Sequence, residues 1–426
     1  MSGRQPRPRT AALASAALLA AVVAGVQHGE AHKAVTSKYT YNDDVFPILK
    51  ERCSQCHVTG GVAPMSLMTY EEAFPWAESI RAELVAAHMP PWNAEAGFGD
   101  LKRAHALPPK ELDVLMTWAT GGNPRGALDQ KLPAVTLENE WTLGAPDLAL
   151  KLPAVFTLAA DKMDDTQEFT LPTGTPEARW VRAVDLLPGT PAIVRSATIF
   201  VRDAQSDAAQ PPGTPKPEGD GGPGAPVPER VLAHWLPGHE REPIDSGTAF
   251  RLPAGAQLGV RIHYKKTWQL EGKPMADRST VGLYFAPVKE AHELLRLPID
   301  GTSTPAPGAA NQTVTFNRTL NDDMQVLALS PDAVPPNITL QVEAVRPDGS
   351  RAPMIRLNTR ADWARRYWFE KPLTLPRGTK IEVTANFEDP DILSAAFATA
   401  AASAPRPAAL RLTLSVLPAN AKPAAP

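Results

Sequence analysis

Cys53-Ser54-Gln55-Cys56-His57 holds both cysteines of the chain, and no other feature constrains the surrounding fold as tightly. Two thiols three residues apart, followed directly by a histidine, are what covalent haem attachment requires. Each thiol adds to one haem vinyl group, and the histidine takes the iron as proximal ligand. Two other chemistries share part of the pattern. A zinc site needs further thiol or imidazole ligands nearby, and a thioredoxin-like pair does not call for the histidine. One c-type haem is therefore the expected cofactor, attached at Cys53 and Cys56 with His57 on the iron. No cysteine is then left for a structural disulfide.

The N-terminus agrees with this chemistry. Residues 1–31 read as a secretory signal: a basic MSGRQPRPRT, an apolar AALASAALLAAVVAGV, then small residues with cleavage expected around Gly29-Glu30-Ala31. An uncleaved anchor is the alternative, although the apolar run is at the short end for a span. No later stretch is long and apolar enough to cross a bilayer. Cytochrome c assembly takes place outside the cytoplasm, so a periplasmic or otherwise secreted protein is expected.

At 426 residues the chain has room for two or three domains. A net charge of -3 argues against nucleic acid or an anionic membrane surface as principal partner. The 45 prolines argue against a mainly helical protein. Short Val, Thr, Leu and Phe runs between turn signals favour β structure beyond the haem region.

The haem region is expected over 39–126. Asn42-Asp43-Asp44 offers helix caps, and Val45, Ile48, Leu49 and Arg52 carry helical spacing into the haem motif. A helix is expected over Tyr70–Ala87, with Pro75 in its first turn or bending it. A last helix starts at Pro108-Pro109, places Leu112, Leu115, Met116 and Ala119 on one face and stops at Gly121-Gly122. Met89 is the expected sixth iron ligand, because Pro90-Pro91 extends the chain after it and lets it project a thioether. Met65, Met68 and His88 compete for the position. Trp92 and Trp118 read as haem-pocket packing.

These stretches resemble the small cytochrome c domain fused to bacterial copper type II, ascorbate-dependent monooxygenase-like proteins. The likeness is carried by the haem motif, Gly61-Val62-Ala63-Pro64, Thr69-Tyr70-Glu71-Glu72-Ala73, Met89-Pro90-Pro91-Trp92 and Leu115-Met116-Thr117-Trp118. It continues through Phe169–Gly174, Arg179–Val184, Ile262-His263-Tyr264, Arg278–Leu283, Glu343–Gly349 and Pro376–Ala385. The resemblance implies an all-α small cytochrome c domain followed by two jelly-roll-like β-sandwiches. The first spans 139–290 with a disordered insertion at 204–228, the second spans 297–416, and 417–426 forms a tail.

In that family an H-H pair and a histidine of the H-Y strand hold one copper, and an H-x-H with a late Met holds the other. Here Arg195 and Ser196 stand in the pair's place, and Pro331-Asp332-Ala333-Val334 stands where the family has P-H-M-H. No methionine follows Met354. Of the six ligands only His263 remains, so copper is not expected at either site as the family builds it. A relocated metal site from His234, His239 and His263 is the alternative, against ordinary exposed or hydrogen-bonded histidines.

The function expected from these residues is electron transfer with a redox partner protein, the β domains serving as scaffold or binding surface. A copper monooxygenase fed by the haem and a haem-based ligand sensor are the alternatives.

Overall fold

The computed structural model describes residues 36–102, 107–202, 230–238, 244, 248–286, 292–303, 312–334, 338–359, 365–387 and 408–419. The expected signal (1–31), the insertion 204–228, His105 and His239 lie outside the described residues.

Helix starts in the N-terminal region are set by two threonines. Thr40 Oγ1 accepts from the Asp43 amide at 3.3 Å and caps a π turn, Tyr41–Val45, that runs into the helix Phe46–Arg52. Asn42, an expected cap, is buried instead and donates through Nδ2 to the Ala127 carbonyl at 2.9 Å. Thr69 caps Tyr70–Ala73, accepting from the Glu72 amide at 3.3 Å and donating to the Glu72 carboxylate at 3.0 Å. The expected helix 70–87 does not run through. Pro75 brings no N–H to the ladder, so Phe74–Trp76 tightens to a 3-10 turn and the helix resumes over Ala77–Val85. The helix Pro109–Thr120 buries Val114, Leu115, Trp118 and Ala119, a face rotated from the expected one, which leaves Leu112 exposed.

These pieces do not make an all-α cytochrome c domain, and the expected fold class is corrected: the molecule is mostly β, with 44% strand and 15% helix. The cause is local. Prolines at 47, 64, 75, 90, 91, 108 and 109 divide the segment, so irregular backbone separates short helices around one small core of Tyr41, Leu49, Leu115 and Trp118.

Beyond residue 147 the described chain forms two pairs of stacked sheets and a two-stranded ribbon of Phe156–Leu158 and Met275–Asp277. In the first pair, Leu148–Lys151, Thr280–Phe285, Arg179–Leu187, Thr248–Leu252 and His292–Glu293 lie in that order in one sheet. Asp164–Pro172, Gln257–Lys265, Val194–Arg202 and Val231–Trp235 make the other. Val181, Leu186, Ile199, Val260 and Leu283 fill the space between them. The three strands expected from β-branched and aromatic runs, near Ile193–Val201, Gln257–Tyr264 and Thr280–Phe285, all form within a residue of those bounds.

The second pair stacks Leu295–Ser303, Ala408–Pro418, Met324–Ala333 and Tyr367–Leu375 on Gln312–Thr319, Lys380–Phe387, Ile338–Val345 and Arg351–Asn358. Its alternation is clean: Ile338, Leu340, Val342 and Ala344 point into the core while their neighbours are half-exposed. The last strand runs to Pro418, and Leu417, placed in the tail by the sequence, is buried against the core of the first pair together with Leu327. The two sandwiches thus share an apolar contact. Among the described residues no helix is long and apolar enough to cross a membrane.

Candidate metal centre

The C-x-x-C-H run is a turn at the end of a helix. Cys53 closes Phe46–Arg52 by donating its amide to Leu49 at 2.9 Å, and its own carbonyl accepts from Cys56 at 3.1 Å and His57 at 2.8 Å. That winding gathers two thiols and an imidazole into one turn. The loop beyond is tied back by Ala63 to the Cys56 carbonyl at 3.2 Å and by Leu67 to the His57 carbonyl at 3.1 Å. Gly61 is needed there, since a Cβ would stand 2.4 Å from the Cys56 oxygen.

His57 Nδ1 lies 3.2 Å from the carbonyl oxygen of Met65. A carbonyl can only accept, so Nδ1 carries the proton and Nε2 keeps its lone pair for a metal. Burial lowers the pKa of His57 and keeps the ring neutral, the form that ligates; Met65 opposes the shift and Arg195 adds to it. Both cysteines are free thiols. Burial pushes Cys53 up to about 12 and Cys56 up to about 11. Such thiols are protonated at neutral pH, unlike the low-pKa nucleophile of a thioredoxin-like pair. Among the described residues no three His, Cys, Asp or Glu side chains converge on a point where they would chelate a metal ion. The donor set fits haem c: two reduced thiols and one neutral imidazole with a fixed tautomer.

The first sandwich leans on this turn. The Cys56 sulfur is 3.9 Å from the Pro237 carbonyl oxygen, and Arg195 Nη1 donates to the Val62 carbonyl at 3.4 Å. Arg195 can reach because it is the extra residue of a β-bulge: Val194 pairs with Tyr264 and Ser196 with His263, leaving Arg195 unmatched. Bulges re-aim side chains beside functional sites.

Of the competitors for the sixth position, Met68 is buried in the small helical core. His88 Nδ1 lies 2.9 Å from the Glu83 carboxylate. Met65 is half-buried beside the same core, and its carbonyl takes the His57 Nδ1 contact. Met89 is half-buried and its amide donates to the Glu83 carbonyl at 3.4 Å. Trp118 packs in the helical core and donates to the Pro124 carbonyl at 3.1 Å. Trp92 packs against Tyr367 of the second sandwich, which corrects its expected place in a haem pocket.

The relocated metal site does not come together among the described residues. His234 sits opposite Thr198 and His263 opposite Ser196, on strands flanking Val194–Arg202, so roughly 10 Å of sheet separates them. His234 Nδ1 lies 3.4 Å from Thr198 Oγ1, and its Nε2 lies 3.9 Å from Asp332 Oδ1. Asp332 in turn holds the Arg296 guanidinium and accepts from Thr413 at 2.6 Å. Arg366 donates to the Val231 and Leu232 carbonyls, both at 2.9 Å, with Phe250 4.8 Å from its guanidinium. This buried ionic network was not legible in the sequence, because its members come from widely separated stretches of chain.

No family model and no curated protein matches this chain. Among solved structures, a Paenibacillus xanthan lyase is 9% identical over 64% of this chain and 26% of its own, with a TM-score of 0.15. VP2 of infectious bursal disease virus, in a subviral particle, is 11% identical over 67% of this chain and 75% of its own, with a TM-score of 0.17. Likenesses this weak carry no argument, and the functional reading rests on the site.

Proposed function

We propose that this chain is a secreted electron-transfer protein that holds one haem c through Cys53 and Cys56, with His57 and Met89 on the iron. The observation that carries the reading is the hydrogen bond from His57 Nδ1 to Met65, which presents Nε2 beside two free thiols in the same turn. Bound there, haem supplies a one-electron iron couple. Cys53 and Cys56 would hold it covalently, each through one thioether to a haem vinyl group. His57 would offer Nε2 to the iron, with its ring held by the hydrogen bond to the Met65 carbonyl. Met89 brings a thioether, which favours a higher potential than a second imidazole. Arg195 places a positive charge beside the motif, and this favours the reduced, less positive iron.

In this reading the sandwiches are a scaffold or docking surface for a redox partner, and the likeness to copper monooxygenase-like proteins is one of descent without the coppers. Two positions support that. Where the family's first pair of ligands is expected stands Arg195, aimed at the haem motif. Where its H-x-H is expected stands Asp332, already engaged by Arg296. A guanidinium in a ligand position repels a cupric ion.

Metal analysis of the purified, haem-loaded protein after exposure to excess copper and desalting tests the reading. One iron without retained copper is expected. Retained copper with ascorbate-driven oxygen uptake would favour the monooxygenase, and facile carbon monoxide binding to the reduced protein would favour a ligand sensor.

A further inference from the structure

The chain that follows Met89 is built into the second sandwich, whereas the haem motif rests on the first. Residues 93–102 lie along the edge strands of both sheets of the second sandwich. Against Arg351–Asn358, the Glu95 amide donates to the Arg356 carbonyl at 2.8 Å and the Asn358 amide to the Asn93 carbonyl at 2.9 Å. Against Tyr367–Leu375, Lys102 donates to the Trp368 carbonyl at 2.8 Å and the Glu370 amide to the Asp100 carbonyl at 2.9 Å. The approach is close at Gly99, where a Cβ would stand 1.9 Å from the Met354 oxygen. Nearest to Met89 the fastening is a side chain. Arg365, buried to 7% exposure, donates to the Pro91 carbonyl at 3.0 Å and lies 4.8 Å above the Trp92 ring, which meets Tyr367 edge-on at 5.3 Å.

We propose that Arg365 is a positioning residue for Met89, so that the first sandwich supports the iron's fifth ligand and the second sets its sixth. The inference rests on the reading of Met89 as axial ligand. Its physical basis is the short lever: one residue separates Met89 from the carbonyl that Arg365 holds, and the next residue is pinned under the same guanidinium. Losing a charged donor from this half-buried carbonyl frees the Pro91 end of the loop. The thioether then leaves the iron more often. Haem ligation thereby reports the placement of the second sandwich relative to the first, since any shift of one against the other pulls on one axial ligand and not the other.

The test uses the full-length, haem-loaded protein and reads the near-infrared thioether-to-iron band of the oxidised form, the midpoint potential, and carbon monoxide binding to the reduced form. In Arg365→Gln the band weakens, the potential falls, and carbon monoxide binds about tenfold faster. Arg365→Lys, which keeps a donor, restores part of the band. Arg351→Gln, on an arginine of the same sandwich that pairs with Glu343 and Glu382, changes none of the three. Trp92→Phe, a milder change in the same clamp, moves them in the direction of Arg365→Gln and covers the case in which that variant does not fold. Met89→Ala separates the two claims. If it abolishes the band while Arg365→Gln and Trp92→Phe behave as wild type, the positioning role is overturned and the axial assignment stands. If Met89→Ala leaves the spectrum unchanged, the axial assignment fails and the inference falls with it.

Discussion

His57 Nδ1 and the Met65 carbonyl oxygen are 3.2 Å apart, and that contact assigns the imidazole's remaining lone pair to Nε2. It ties the haem motif to the loop that follows, and it makes the three residues of the motif separable by experiment. His57→Ala is expected to lose the low-spin, six-coordinate spectrum. Cys53→Ala and Cys56→Ala are each expected to keep one thioether, seen as a red-shifted α band of the alkaline pyridine complex.

Arg195 is a second handle on the same centre. Its guanidinium reaches the Val62 carbonyl from a bulge in the first sandwich. Arg195→Gln removes a positive charge beside the proposed haem site, so the midpoint potential is expected to fall by tens of millivolts, less at high salt. Redox titration at two ionic strengths checks both the direction and the screening.

Gly238 marks where the first sandwich meets the motif. Its φ is +70°, and a Cβ there would stand 2.7 Å from the Gln55 Cβ and 3.6 Å from the Cys56 sulfur. Gly238→Ala is expected to cost roughly 1–2 kcal/mol from backbone conformation alone, with the clash added to it. Chemical denaturation measures the cost.

Between the sandwiches, Asp332 is 1% exposed and carries Arg296, Thr413 and, at longer range, His234. Removing one partner of a buried pair leaves the other charge uncompensated. Asp332→Ala is therefore expected to destabilise the protein by about 3–5 kcal/mol, readable by denaturant unfolding.

The same network sets an acid sensitivity. Burial, with Arg366 and Arg296 nearby, lowers the pKa of His234 below 6.5, against the opposing pull of Asp332. The unfolded chain then takes up the proton first, so stability falls as pH drops below 6.5 towards the folded value. The pKa of Asp332 is also lowered in the fold: hydrogen bonds and positive neighbours outweigh its burial. Its contribution is held above pH 3.8 and lost as the pH falls through the folded value. Melting temperature is expected to fall in two steps on acidification, and His234→Gln should remove most of the first. His57, lowered by burial as well, adds to that step only where no iron occupies Nε2.

The candidate site was read from a local motif, whereas the fold around it depends on distant contacts. C-x-x-C-H is a local signal, readable because attachment chemistry fixes residue types at fixed spacing. The strands Gln257–Lys265 and Thr280–Phe285 were readable from their β-branched and aromatic content. The all-α domain failed where local spacing met proline: the run 70–87 has helical periodicity, but Pro75 interrupts its hydrogen bonding. Trp92 looked like haem packing because it follows Met89 by three residues. Its partners, Tyr367 and Arg365, are more than 270 residues further along the chain. Likewise Asp332 read as a lost ligand: Arg296 reaches it from two strands away in the same sheet, and His234 approaches it from the other sandwich.

The most direct test is the intact mass of the full-length protein, secreted from a host that matures cytochromes c and measured under denaturing conditions after acid–acetone extraction. The mass of the polypeptide plus one haem, lost when Cys53 and Cys56 are both replaced by alanine, is the expected result. A mass equal to the bare polypeptide, or a haem that extracts freely, would contradict the assignment.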